Sequence, residues 1–456
     1  MSPSVACDRA FLGTALHTPA RGSLEALHGV LIVVGADGAI KAMHEHGSPE
    51  LEKQARHFAS QGSLVTLGPD QYLLPGLVDL HVHAPQWPQL GKALDLPLEE
   101  WLQVYTFPLE ARYTDTVFAK AVYESLVEGL LANGTTTALY FGTIHLPATQ
   151  ILAEICLRRA QRALIGRVAM DDRQQCPEYY RDVSAASAAD LTRAFIEYVR
   201  SMRGNNAGLV QPVITPRFIP ACSDDLLVKL GTLARETRCH VQTHCSESDW
   251  EHHYVLERCG RTDTAALDDF GLLSRRTILA HGNFVADADI ALIRARGAGI
   301  AHCPLSNIYF SDAVFPLRRI LEQGVNVGLG SDIAGGASPS ILHNARHAIM
   351  ASRNLESGVD SRLPREQRRR CEARIDAVTA FWLATAGGGI ALDLPVGVFK
   401  EGFQFDALLI DARAPGGDLR VDDEETPEEV LQKIIYLAGR TNIRQVWVAN
   451  RQVHAL

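Results

Sequence analysis

The chain has 456 residues, 46% of them hydrophobic and 21% charged, with a net charge of −9. This is the composition of a soluble globular chain, long enough for one large core and a second, smaller domain. The acidic balance argues against nucleic-acid and anionic-membrane partners, and no apolar run reaches membrane-spanning length. The nine cysteines are odd in number, scattered and without a Cys-x-x-Cys, so free thiols in a reducing, cytoplasmic setting are expected rather than a disulfide framework or a zinc ribbon. No basic segment followed by an apolar one opens the chain, so no secretory signal is expected.

Residues 1–71 read as short strands with turns. The run 31–34, the turn 35–38 with its Asp-Gly and the run 39–42 form a hairpin signal, and residues 63–67 resemble another strand. From residue 72 to about 390 apolar, β-branched runs alternate with helical patterns. Strands are expected at 77–83, 135–143, 163–171, 210–218, 239–246, 277–282, 299–304 and 325–332. Helical periods fall at 151–162, 191–202, 224–237, 287–296 and 317–323. Eight βα units predict a (β/α)8 barrel. A doubly wound open sheet would show a Gly-rich phosphate loop after its first strand, and none is present. The long first connection, 84–115, carries Trp87, Trp101, Tyr105 and Phe107, and loops of that length in compact domains tend to be functional. Residues 376–385 read as a helix stopped by Gly387-Gly388-Gly389, and Arg368-Arg369-Arg370, flanked by Glu366 and Glu372, as a solvated helix face. Residues 396–456 return to strands, so both termini are expected to build one small β domain beside the barrel.

Barrels of this kind work at the C-terminal ends of their strands. The polar residues expected there are His81 and His83, His145, Asp171 and Asp172, Arg217, His244 and Glu247, His281, His302 and Asp332. His81 and His83 stand two apart in a strand and so share a face. Strand 8 adjoins strand 1 in a closed barrel and strand 5 faces them, so His81, His83, His244 and Asp332 can converge on one ion, with a position left for water. Glu247, three residues past His244, is placed to carry a proton, and Asp332 can accept one from the water. His281 is placed to hydrogen-bond the attacking oxygen or to polarise the target. Arg217, Phe218 and Gln86 together suit a flat, hydrogen-bonding heterocycle. His145 and His302 read as packing or supporting residues.

The motifs Pro-Gly-Leu-Val-Asp-Leu-His-Val-His at 75–83, His244-Cys-Ser-Glu247, His281-Gly282 and Ser331-Asp332 resemble the amidohydrolase superfamily in its aminohydrolase branch. Asp95-Leu-Pro-Leu-Glu-Glu-Trp-Leu102, Tyr105-Thr-Phe-Pro108, Thr215-Pro-Arg-Phe218 and the stretch 328–336 are similar to the guanine-deaminating members of that branch. The resemblance implies a distorted (β/α)8 barrel with a β-sandwich made from both termini, divided at 1–71, 72–390 and 391–456. It makes His81, His83, His244 and Asp332 the ligands of one Zn2+ per subunit, with iron as the other candidate. Gln86, Arg217, Phe218 and Glu247 become guanine contacts, with His83, His244 and Asp332 bordering the same substrate. Glu247, Asp332 and His281 become the catalytic residues, and guanine and water the reactants, giving xanthine and ammonia in purine breakdown by a cytoplasmic homodimer. Metal-activated water would attack C2, Glu247 would protonate N3, Asp332 would shuttle the water proton to the departing amine, His281 would steady the tetrahedral centre and Arg217 would read O6. Leu80 and Leu305 stand where threonines are expected.

A related aminohydrolase acting on 8-oxoguanine or a triazine is the alternative. The other zinc deaminase architecture, His-x-Glu with Pro-Cys-x-x-Cys, is excluded by the absence of a Cys-x-x-Cys. A catalytically dead scaffold barrel would have lost ligands, and all four are present together with Glu247.

Overall fold

Extended, β-branched segments at both ends of the chain pair with each other. A computed structural model describes residues 7–311 and 313–456; the part of the expected N-terminal β segment at residues 1–6 lies outside the described residues. Strands β1 (Arg9–Ala20), β2 (Ser23–Val34), β3 (Ile40–His44), β4 (Leu64–Thr66) and β5 (Gln71–Pro75) open the chain. The expected hairpin is β2 and β3, turned at Asp37-Gly38 with Gly38 at φ 82°. The barrel strands follow: β6 (Leu77–His83), β7 (Thr135–Phe141), β8 (Arg162–Ala169), β9 (Val210–Pro216), β10 (His240–Cys245), β11 (Thr277–His281), β12 (Gly299–His302) and β13 (Asn326–Leu329). Strands β14 (Ala407–Asp411), β15 (Ile443–Val448) and β16 (Arg451–Ala455) return to the first sheet, whose order is β16-β15-β14-β5-β1-β2-β3 with β4 on β1. Phe11 of β1 lies 5.1 Å from Trp447 of β15, ring centre to ring centre, although two strands intervene. Paired strands are about 4.8 Å apart, so the sheet curls on itself around a core of Phe11, Ile32, Phe405 and Trp447.

Strands β6 to β13 run parallel in sequence order. Every residue of β6, β7 and β8 is buried, because a parallel sheet covered by helices has no solvent face. Side chains of Val78, Leu80, Leu139, Leu164, Val213 and Ile278 fill the inside. Leu80 is thus absorbed into the barrel floor. The ring closes beyond the end of β13, where Asp332 N donates to His81 O of β6 at 2.8 Å and His83 N to Ile333 O at 2.9 Å. The seam therefore passes through three of the expected site residues.

Most strands are shorter at the C-terminal end than the sequence predicts. The last is only Asn326–Leu329, because the chain must leave the ladder to aim the following side chains inward. The expected helix at 224–237 is Asp224–Thr237, with Ser223 accepting from Leu226 N. That expected at 151–162 is Leu146–Arg159, since Ala160 turns left-handed at φ 56° and Arg162 already belongs to β8. Glycines 387–389 do not stop the helix that begins at Ala377. The backbone widens into a π turn, Leu383–Gly387, and continues over Gly388–Ala391. A Cβ on Gly388 would lie 2.7 Å from Val78 Cβ, so these glycines let the helix press against the barrel floor. Of the Arg368–Arg370 run only Arg368 is helical, ending the short exposed helix Arg365–Arg368. Asp171 and Asp172 hold turns: Asp171 accepts from Ser223 N and Oγ at 2.7 Å, and Asp172 from Gln174 N at 2.8 Å.

Candidate active site

The strand ends bring His81, His83, His244, His281, Glu247 and Asp332 together, all buried. His83 Nε2 lies 3.0 Å from His244 Nε2, and Asp332 Oδ1 lies 3.2 Å from His81 Nε2 and 3.5 Å from His83 Nε2. Donors bound tetrahedrally at zinc distances sit about 3.3 Å from one another, so these spacings fit such an ion. His81 Nε2 has no hydrogen-bond partner, as a nitrogen aimed at a cation requires. His244 Nδ1 is held by Arg217 O at 2.6 Å, which leaves its Nε2 facing the cluster. Burial, then the neighbouring histidines, pushes His81, His83 and His244 well below their ordinary values. They are neutral imidazoles, the form that binds a metal. Cys303 joins His281 and Asp332 with donor atoms within 4.8 Å, although its thiol is pushed well up by burial.

Three of these strand ends take left-handed backbone: Ser246 at φ 50°, His281 at 73° and Asp332 at 48°. Non-glycine residues rarely adopt it, and it persists only where the surroundings over-determine it. Here the surroundings are hydrogen bonds. Ser246 N and Oγ donate to Asp263 at 3.2 and 3.0 Å, Glu247 N donates to Glu251 at 2.8 Å, and Asn283 Nδ2 donates to Glu247 O at 2.9 Å. Behind His81, Asp79 Oδ1 accepts from Ser331 N at 2.9 Å and from His81 N at 3.2 Å. Burial pushes the Asp79 carboxyl up to about 7.

Beside the donor cluster lies a pocket walled by Leu98, Trp101, Leu102, Phe218 and Phe310 and edged by Gln86, Arg217, Glu247 and Asp332. Glu247 Oε1 is 3.5 Å from His281 Nε2. Burial, and then the charge of Asp332, raises Glu247 well above the carboxylate range, while burial raises Asp332 to about 6. His281 is lowered by burial against the opposing pull of Asp332 and of Asn307. Its Nδ1 pairs with Asn307 Oδ1 at 3.0 Å. His145 precedes the helix Leu146–Arg159 and lies near Tyr180, and His302 stacks on Phe315, so neither joins the cluster.

Sequence reasoning missed Glu110, Asn307, Phe310 and Asp263. Glu110 accepts from Gln86 Nε2 at 2.8 Å and from Arg217 Nη1 at 2.7 Å. A signal existed for it alone, since it lies in the long first loop flagged as functional.

Parallel strands carrying a histidine and carboxylate cluster at their C-terminal ends define a barrel with a candidate metal-dependent active site. The model of the amidohydrolase family matches residues 72–453. A guanine deaminase of Dictyostelium discoideum is 36% identical over 457 residues, covering 97% of this chain and 97% of that protein. One of Mus musculus is 37% identical over 452 residues, covering 97% and 96%. The crystal structure of guanine deaminase from C. acetobutylicum with bound guanine superposes with a TM-score of 0.86 at 29% identity, covering 98% of this chain and 99% of that one. The chain belongs to the amidohydrolase family and is a hydrolase acting on C–N bonds of cyclic amidines. Among the described residues no helix is long and apolar enough to cross a membrane.

Proposed function

We propose that this chain is a zinc-dependent guanine deaminase of purine breakdown, which adds water at C2 of guanine and releases ammonia, leaving xanthine. The observation that carries the proposal is a single buried pocket in which the donors of Gln86 and Arg217 and the acid of Glu247 face the same space as the His and Asp cluster. The relatives named guanine deaminases, similar over nearly the whole chain, support the same substrate.

His81, His83, His244 and Asp332 would hold the ion, and zinc there would act as a Lewis acid that makes water nucleophilic near neutral pH. Asp332 takes a proton from the attacking water through a carboxylate oxygen and returns it to the departing amine, while the water's second proton leaves the C2 oxygen as the carbonyl forms and restores the acid of Glu247. With Nδ1 donating to Asn307, His281 presents a lone pair on Nε2 that orients the water's other hydrogen. Burial raises Glu247 above the carboxylate range and so favours its acid form, which donates to N3 as the water oxygen bonds to C2. Phe218 covers a ring face, and Arg217 donates to the O6 carbonyl. Adenine carries an amine at that position and has no acceptor to offer.

The nine free cysteines support a cytoplasmic location. The resemblance to guanine-deaminating enzymes supports a homodimer, which sedimentation reads directly. The deciding experiment follows guanine absorbance with purified protein of known metal content, with and without a chelator, beside 8-oxoguanine and ammeline. Zinc-loaded protein that leaves guanine untouched sinks the proposal. Iron in place of zinc would correct the metal and leave the reaction.

A further inference from the structure

Glu110 lies in the helix Phe107–Ala111, fully buried behind the pocket wall. Its carboxylate accepts from Gln86 Nε2 at 2.8 Å, from Arg217 Nη1 at 2.7 Å and from Arg217 Nη2 at 3.3 Å. Phe107, on the same helix, lies under the guanidinium with its ring centre 4.9 Å away. The other end of the Gln86 amide is held too, since Ala334 N donates to Oε1 at 3.1 Å.

Two consequences follow from this clamp. A buried guanidinium without a counter-charge would draw an anion into the pocket. With Glu110 opposite, Arg217 keeps N–H groups to spare and offers them as part of a neutral pair. Burial lowers the affinity of Arg217 for its proton, but the charge and hydrogen bonds of Glu110 more than restore it. A carboxylate also accepts only, so it decides which end of the Gln86 amide turns towards it. The remaining donor and acceptor of that amide then face the pocket in one order.

We propose that Glu110 is a specificity-determining positioning residue: by neutralising Arg217 and setting the Gln86 amide, it makes the pocket select an uncharged ring lactam over an anionic one. The inference rests on the reading of this pocket as the purine site and adds the charge state of the ring it takes.

The test uses two 6-oxopurines without a 2-amino group, hypoxanthine, uncharged at neutral pH, and urate, a monoanion there. Calorimetry gives both dissociation constants for the holoenzyme. The wild type should prefer hypoxanthine. In Glu110→Gln the preference should move towards urate by about tenfold or more, and adding Arg217→Met to that variant should abolish the gain. Glu110→Asp keeps the charge on a shorter arm, so the binding ratio should hold while kcat/KM for guanine falls. Should Glu110→Gln fail to fold, Arg217→Met alone, leaving Glu110 unpaired, must move the ratio against urate by a similar factor. Equal losses of both ligands in these variants would mean that Glu110 only packs, and would overturn the inference. A wild type that binds hypoxanthine but leaves guanine unchanged removes the deaminase reading alone, and the ratio still decides for Glu110. A wild type that binds neither ligand overturns both.

Discussion

His302 ends β12 with 2% of its surface exposed and its ring stacked on Phe315, planes 25° apart and centres 4.9 Å apart. Its Nδ1 has no hydrogen-bond partner. Burial, assisted by the nearby His281, pushes the imidazole down to about 3. The folded chain therefore keeps the ring neutral, while the unfolded chain takes up a proton once the pH drops below about 6.5. The contribution is whole above that pH and is lost as pH falls towards 3, at about 1.4 kcal/mol for each pH interval. By pH 5 the loss amounts to about 2 kcal/mol, and the full fall to pH 3 to about 5 kcal/mol. His302→Phe removes the titrating group and keeps the stacked ring. Urea unfolding of wild type and variant at pH 7, 6 and 5 reads the difference directly. The variant should gain about 2 kcal/mol on the wild type between pH 7 and pH 5. Parallel pH curves would refute the reasoning, because a ring that costs nothing to bury has no linked proton to lose.

Three further outcomes follow from the same geometry. Glu247→Gln should lower kcat for guanine by about 10² to 10⁴, with thermal stability at or above wild type because a buried ionisable acid is gone; unchanged turnover removes Glu247 from the mechanism. Asp406→Asn should cost about 3–5 kcal/mol in urea unfolding. It leaves Arg162, which donates to Asp406 at 2.8 and 3.1 Å across the boundary between the barrel and the terminal sheet, without its counter-charge. A change below about 1 kcal/mol would mean that the pair is solvated. In Gly330→Ala the new Cβ would meet Cys303 Sγ at 2.8 Å and His81 Cβ at 2.9 Å. Bound zinc and guanine turnover should both fall about tenfold or more while circular dichroism is retained; full metal content in the variant would show that His81 had not moved.

What could be read along the chain was local. The alternation that places His81 and His83 on one face is a property of any strand, and β6 runs over Leu77–His83 as its residues predict. The buried, β-branched runs announced the eight strands because a covered parallel sheet needs apolar side chains on both faces. The strand-end residues also include most of the donor cluster, because the C-terminal ends of parallel strands necessarily open on one side of the barrel. Each of these signals comes from backbone geometry that a handful of neighbouring residues dictates.

Tertiary structure decided the rest. No neighbour of Glu110 in the chain marks it as the counter-charge of Arg217, 107 residues away. That role exists only once the first loop folds over the strand ends. Glycines 387–389 looked like a stop because glycine disfavours a helix, yet a Cβ there would collide with Val327 O, Val78 and Val396 O in turn, so their lack of side chains is the reason that the helix can continue. Asp332 reaches His81 because the barrel closes there, with its own N–H on His81 O at 2.8 Å. Local sequence sets the kind of element and the face each side chain takes. The ring closure that meets the carboxylate with its histidines is a long-range packing event, and no run of adjacent residues encodes it.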